Sequence, residues 1–513
     1  MSDDTIKCIM HTFEVNAEAL RTNVKVRRAG SIVKEFSLNT STHGIPGIAR
    51  SESKLNRIFW STSLLIFTGI MSYFIVQSIR AYFEYPTQTS VAIVGEWPQA
   101  FPAVTVCNHS PLRYDRFIEP FLNYTNTFGL TNTSDKNYFT KVQASYIQDY
   151  LIYKLNRNES LYEYFYSLES MMISCSYNGE KCSAADFTWF MSPRFGLCYT
   201  FNAKPKSTIN KTLRYNADNG ANGLFELDLY VHQHQYVPYI SSGIGAAVLV
   251  HDNEELPIIE MTAMQLAPGR HHKLGYSKKT SIFLPAPYTT CNNIVTQGMA
   301  AMYNEYHDTD YGYFELPCYF ACIQSYVYEK CGCGNPTRWA ARYIVPPGSN
   351  ESIHIPLCNV SNPCYSEATA EIMNTMSIWT SYCPLCSQEC KHVDFIIRPT
   401  SLLAPSTHVI DDIKQFVESS MIPLPTNWST SWRTEIQASY VSLEVAYETS
   451  RSELYTQQAT ISPVDVISNV GGHTGLWIGI SFLSLMEIAE MIFRLLRSQC
   501  SRLWNNIRRA YRR

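Results

Sequence analysis

Two carboxylates lie where a lipid-facing helix would exclude them. Glu487 and Glu490 fall inside Leu476–Phe493, a stretch that is otherwise largely apolar. A charge at bilayer depth costs roughly 2.5 kcal/mol or more unless it meets water or a partner. The i, i+3 spacing sets both on one helical face. The chemistry this suits is attraction of cations into an aqueous path. The plainer alternative is an amphipathic surface helix. Other reactive residue types point elsewhere. Sixteen cysteines are present, and all but Cys8 and Cys500 lie between Cys107 and Cys390. An even set confined to one region suits a disulfide framework in an oxidising compartment. Zinc is the alternative, because Cys383 and Cys386 form a C-x-x-C. His271-His272 and His232/His234 are a second metal alternative, although surface histidines are commoner. No nucleophile elbow, zinc-protease or phosphate-loop pattern occurs, so no enzyme activity and no cofactor is expected.

These residues need elements to hold them. Ile58–Ile79 is 22 residues without a charge. At about 1.5 Å per residue, a helix of that length crosses a hydrocarbon core of about 30 Å. Val464–Phe493 is the second candidate span. Arg50, Lys54 and Arg57 precede the first span. Arg494, Arg497, Arg502, Arg508, Arg509, Arg512 and Arg513 follow the second. Basic flanks mark the cytoplasmic side, so both termini are expected in the cytoplasm of a multi-pass plasma-membrane protein. The region between the spans holds the fourteen cysteines and eight sequons, at Asn108, Asn123, Asn132, Asn158, Asn210, Asn350, Asn359 and Asn427. Both signals fit an extracellular, glycosylated domain. Net charge is only −3, and charged residues are 17% of the 513, below the roughly 25% of soluble domains. That balance does not suggest a nucleic-acid surface, no nucleic-acid partner is expected, and the deficit of charge fits a protein with part of its surface in lipid.

The segments divide accordingly. Residues 1–57 form a cytoplasmic segment, 58–79 the first span, 80–463 the extracellular domain, 464–493 the second span and 494–513 a basic tail. No cleavable leader is expected at the N-terminus. Residues 82–102 are expected to be extended or irregular. Phe101–Cys107, the LFELDLYV and AAVLV runs within 223–262, and 436–447 suit strands. Tyr146–Leu155 and Leu161–Met172 suit helices. The extracellular domain is therefore mixed α and β.

Four motifs in order carry a resemblance: Ser41-Thr42-His43-Gly44 before the first span, Phe101-Pro-Ala-Val-Thr-Val-Cys107-Asn108 after it, the fourteen-cysteine pattern, and Gly471-Gly-His-Thr-Gly-Leu-Trp-Ile-Gly-Ile-Ser481 followed by Glu487. With these the chain resembles the degenerin/epithelial sodium channel superfamily over nearly its whole length. The resemblance implies a trimer around a central pore. Each subunit would have two membrane helices and a disulfide-rich α+β extracellular domain of palm, finger, thumb and knuckle parts. It also implies the pairs Cys107–Cys198, Cys175–Cys182, Cys291–Cys390, Cys318–Cys386, Cys322–Cys383, Cys331–Cys364 and Cys333–Cys358. Spacing alone leaves the pairing open.

The resemblance further assigns roles. Gly479, Ile480 and Ser481 would form a selectivity filter for sodium ions; without the flanking motif they would suit a small-residue packing face. Glu487 and Glu490 would add carboxylate rings. His43 and Gly44, in a re-entrant cytoplasmic loop, would support the lower pore. Gly475 stands where amiloride blocks related channels. Ser468 stands where bulky side chains hold the gate open. Tyr85 and Tyr288 would couple the extracellular domain to the first helix.

The opening stimulus is read separately. Acid-sensing members carry titratable groups where this chain has Thr87, Ala92, Ile93 and Asn469. Proton gating is thus disfavoured relative to a short amidated peptide, as in the FMRFamide-gated branch. An aromatic, cationic ligand suits an aromatic pocket. Phe117, Phe121, Tyr138, Phe139 and Tyr146 are the candidate contacts, with packing inside the finger as their alternative role. The remaining alternatives are an acid-sensing, constitutive or mechanical channel of the same superfamily, and a membrane-anchored receptor without a pore. Homomeric and heteromeric trimers stay open.

Overall fold

In the computed structural model, residues 29–510 are described, apart from 134, 210, 217–222 and 347. Asn210, Cys8, Arg512 and Arg513 lie outside the described residues. The chain divides into two compact units. One combines the residues up to Thr87 with those from Ala459 onward; the other is Gln88–Gln458.

The larger unit is built on an eight-stranded sheet. Its order is Thr87–Gly95, Arg451–Ala459, Arg270–Ile282, Tyr440–Tyr447, Leu224–Tyr230, Met172–Tyr177 and Glu180–Lys181, with Lys391–Leu403 also on Arg270–Ile282. The longest ladder runs antiparallel from Arg270↔Leu403 to Ile282↔Lys391. A five-stranded sheet contains Ala103–Asn108, whose six residues are all buried. The core between the sheets gathers Phe101, Phe201, Phe225, Leu227, Tyr276 and Val445. Strands form here because β-branched and aromatic residues fit a pleated, buried surface.

Helices Tyr114–Thr127 and Ile147–Asn156 carry a second core. Phe117 and Phe121, one turn apart, stack with ring centroids 4.9 Å apart, and both meet Tyr150 edge-on. A third block starts from Glu315–Cys331 and Cys364–Asn374. Disulfides Cys318–Cys386, Cys322–Cys383, Cys331–Cys364 and Cys333–Cys358 staple it, and Cys291–Cys390 closes its base. Cys107–Cys198 and Cys175–Cys182 complete seven bridges. Cross-links let a segment with little apolar core hold its shape. Cys383 and Cys386 are spent in disulfides, which removes the zinc alternative.

Several expectations need correcting. Leu161–Met172 is not a helix. A 3₁₀ turn at Tyr162–Tyr164 and a short helix at Leu168–Met171 flank a segment where Tyr164, Phe165 and Tyr166 are buried, and core packing overrides the local periodicity. Residues 436–439 end a helix, Trp428–Ser439, and the strand begins only at Tyr440. Trp428, Trp432 and Ile436 recur every fourth residue, so one helical face packs together. Asn108 is buried, donates to the Val231 carbonyl at 2.9 Å and accepts from the Tyr236 hydroxyl at 2.6 Å, so it offers no surface for a glycan. Asn123, Asn132, Asn158, Asn350, Asn359 and Asn427 are exposed.

Among the described residues of the smaller unit, one helix, Lys54–Phe83, is long and apolar enough to cross a membrane. The second span is not one helix. Pro463–Ile478 and Phe482–Cys500 meet at a 74° bend, and they count as a second crossing only if taken together.

Candidate functional site

The bend falls on Gly479-Ile480-Ser481, and the sequence explains it locally. Gly479 adopts φ +67°, a left-handed conformation natural to glycine, and ends the first half-helix. Its N–H donates to Gly475 O at 3.1 Å, and Ile480 N–H donates to Thr474 O at 3.1 Å. Ser481 starts the second half-helix. Its hydroxyl accepts from the Ser484 N–H at 3.3 Å, while the Ser484 hydroxyl accepts from the Ser481 N–H at 3.1 Å. A glycine C-cap and a serine N-cap two residues apart therefore break the span.

The loop 40–44 packs against this break. His43 N–H donates to the Ile478 carbonyl at 2.8 Å, one of the carbonyls that a helix end leaves unpaired. The His43 ring lies so close that a Cβ on Gly479 would approach its Cγ to 2.7 Å. Gly44, at φ +86°, ends the loop, and a Cβ there would press on Leu64 of the first span at 3.3 Å. The Ser41 and Ser484 hydroxyls are 2.6 Å apart. Glu487 Oε2 accepts from the Thr40 hydroxyl and the Ser41 N–H, both at 2.9 Å, and from the Ser41 hydroxyl at 3.2 Å. Charge-assisted bonds of this kind are the strong ones. Glu490 takes a different partner: the Arg494 guanidinium donates to it at 2.5 Å and reaches Glu35 at 3.4 Å. The two glutamates expected to act alike are thus held differently, one by a neutral loop and one by a cation.

Aromatic rings join the first span to the first half-helix. Phe74 stacks with His473 at 5.2 Å, and Phe67 with Trp477 at 6.0 Å. Ser468 and Gly475 are exposed on that half-helix. The residues match the amiloride-sensitive sodium channel family from 36 to 491. The chain belongs to that family. Zebrafish (Danio rerio) acid-sensing ion channel 1C is 23% identical over 91% of this chain and 84% of its own length. Mouse (Mus musculus) acid-sensing ion channel 4 is 25% identical over 92% and 81%. Degenerin-like protein asic-2 of Caenorhabditis elegans is 26% identical over 90% and 86%. By its description this is a family of sodium channels, not of enzymes.

The other candidate residues scatter. Tyr85 takes a left-handed φ of 49° and packs near Tyr82 and Phe83, with centroids about 6 Å away. Tyr288 closes a turn, its N–H donating to Pro285 O at 3.1 Å. Among the aromatic ligand candidates, Phe117 and Phe121 are fully buried and Phe139 nearly so. They form a core with Tyr150 and Tyr164 and present no surface to a peptide. Tyr138 is exposed and Tyr146 half-buried. The histidines are structural. The His232 Nε2–H donates to the Ser170 carbonyl at 2.7 Å, and burial pushes its pKa down to about 3. His271 lies 3.1 Å from Glu444. Among the described residues, no group of three or more His, Cys, Asp or Glu could hold a metal.

Sequence reasoning missed Thr40 and Ser484. Ser484 could have been found from Ser481, because a serine at the third position after an N-cap serine allows the reciprocal bond. Thr40 lies just outside the Ser-Thr-His-Gly motif and carries no signal of its own.

Proposed function

We propose that this chain is one subunit of a trimeric, amiloride-blocked, sodium-selective channel of the plasma membrane, opened by a short amidated peptide. The observation that carries the pore reading is the helix break at 479–481, braced by His43 and by the loop that hydrogen-bonds Glu487. A broken helix turns backbone oxygens out of the helical ladder, and such oxygens can replace a small cation's water. The helix pair would cross the membrane with both termini cytoplasmic, and Gly479, Ile480 and Ser481 would line the narrow part. Gly475 would lie in the amiloride site and Ser468 at the gate. The domain limits at residues 57, 79, 463 and 493 follow from that topology. Assembly is supported by the strand Thr87–Gly95, where Val91 and Ile93 are 59% and 70% exposed. Apolar side chains so exposed suit burial against another subunit.

Peptide gating is supported by what stands along that strand: Thr87, Ala92 and Ile93 cannot titrate. Tyr138 and Tyr146 are the remaining aromatic contacts for such a ligand. A second reading, acid gating, draws on the relatives named as acid-sensing channels. It also draws on Glu255, whose carboxyl burial and neighbouring Asp252 push up to about 8. Whichever stimulus applies, it must bind the open state more tightly. Voltage clamp of oocytes expressing the chain separates the readings. A panel of amidated peptides should evoke sodium current that amiloride blocks. Current evoked by acid and by no peptide would replace the peptide reading with the acid one. A surface-expressed chain silent to both would remove both.

A further inference from the structure

A cavity of about 550 Å³ lies within the larger unit. Its walls include Ile147, Leu151, Met191, Ile240, Met261 and Trp339. That size and lining suit a small organic molecule. Three charged side chains reach it: Arg194, Arg338 and Glu260. Glu260 accepts from the Ser192 hydroxyl at 2.5 Å. Arg194 is exposed. Arg338 is the anomaly. Its guanidinium lies 4.0 Å over the Phe320 ring, and its Nη1 is fully buried without an acceptor. No carboxylate among the described residues pairs with it. Burial alone pushes it down to about 10, so it stays cationic at neutral pH.

The ring contact accounts for where Arg338 lies but leaves Nη1 without an acceptor. A buried donor without an acceptor is a costly arrangement. Glu260 does not relieve it, being more than an ion-pair distance away and bonded to Ser192. The charges at the wall are two positive and one negative, so an entering group would meet a net cation. We propose that this cavity binds a small apolar monocarboxylate, its body against the aliphatic and aromatic walls and its carboxylate accepting from Arg338. The site is separate from the helix break and does not depend on which stimulus opens the channel. It fits a free acid or the carboxy-terminus of a peptide, since both offer the same carboxylate on an apolar body.

The test uses the purified full chain in detergent with 2-naphthoate as a fluorescent probe. A charge-assisted bond implies that naphthoate binds about tenfold or more tighter than 2-naphthamide, which has the same body. Equal binding of the two, or tighter binding of 2-naphthylmethylamine, overturns the proposal. That comparison needs no mutation. Arg338→Gln should abolish the preference for the carboxylate while the amide binds as before. Glu260→Gln should strengthen naphthoate binding. Decanoate displacing the probe identifies a free acid as the source, and N-acetyl-leucyl-phenylalanine displacing it identifies a peptide terminus. Displacement by neither overturns the proposal.

Discussion

Replacing Gly479 by alanine tests the brace between the loop and the break. Two penalties add. Alanine at φ +67° takes a left-handed conformation that costs roughly 1–2 kcal/mol. Its Cβ would come within 2.7 Å of His43 Cγ and 2.8 Å of Cδ2 and Nδ1. Those contacts are about 0.8 Å inside the optimal carbon separation. Overpacking of this kind costs about 1–3 kcal/mol. The sum, about 2–5 kcal/mol, would displace the break from this geometry by roughly thirtyfold or more. The assay is sodium current normalised to surface-biotinylated protein, in the Ser468→Trp background so that no ligand is needed. Gly471→Ala is the control, because a Cβ there meets nothing within 4 Å. Gly479→Ala should lose most of its current while reaching the surface. Adding His43→Ala removes the steric part and should recover some current, leaving the backbone penalty. Current from Gly479→Ala equal to that from Gly471→Ala would refute the reasoning.

Three further outcomes are expected. Ser468→Trp alone should give steady amiloride-sensitive current without ligand, measured under voltage clamp; a silent, surface-expressed variant would contradict the alignment of that position. Phe117→Ala should destabilise the extracellular unit by about 3–5 kcal/mol through the cavity it leaves. Thermal unfolding should show this, and a shifted peptide response with unchanged stability would contradict its core role. Glu255 has its folded pKa raised from 4.5 to about 8, so its favourable contribution is fully present below pH 4.5 and is lost as pH rises through 8. The loss expected between those pH values is of the order of a few kcal/mol. Glu255→Gln should flatten that part of the stability–pH curve, as read by thermal unfolding between pH 4 and 9, and an unchanged slope would contradict the buried-acid account.

The larger features were legible where the physical signal is strong and local. An uncharged run such as Ile58–Ile79 has few alternatives to a long apolar helix, and the structure extends it to Lys54–Phe83. Ala103–Asn108 and Leu224–Tyr230 announced themselves through β-branched and alternating residues. The disulfide pairing came from family resemblance, because spacing cannot choose among so many alternatives; the structure carries the same seven pairs. What escaped was set by packing or by caps. Phe117 and Phe121 left a ligand surface and a packed core both open, because composition does not reveal which way a ring faces. Their i, i+4 spacing on an amphipathic helix was the sign of a core face. The second span looked continuous because hydropathy outweighs single residues, yet Gly479 and Ser481 carried both capping signals. The contrast between Glu487 and Glu490 depends on Ser41 and Thr40, more than 440 residues away in sequence. No local pattern reports such a contact.

On the proposed function, residues 479–481 border a path for sodium ions. The direct measurement is block of sodium current by silver ions in a Ser481→Cys channel. The background replaces Cys8 and Cys500 by serine, since Cys500 is an exposed free thiol. Rapid block that the serine-bearing parent does not show is the expected result. Sodium current of normal size, equally indifferent to silver with cysteine at 481 and at 480, would contradict it.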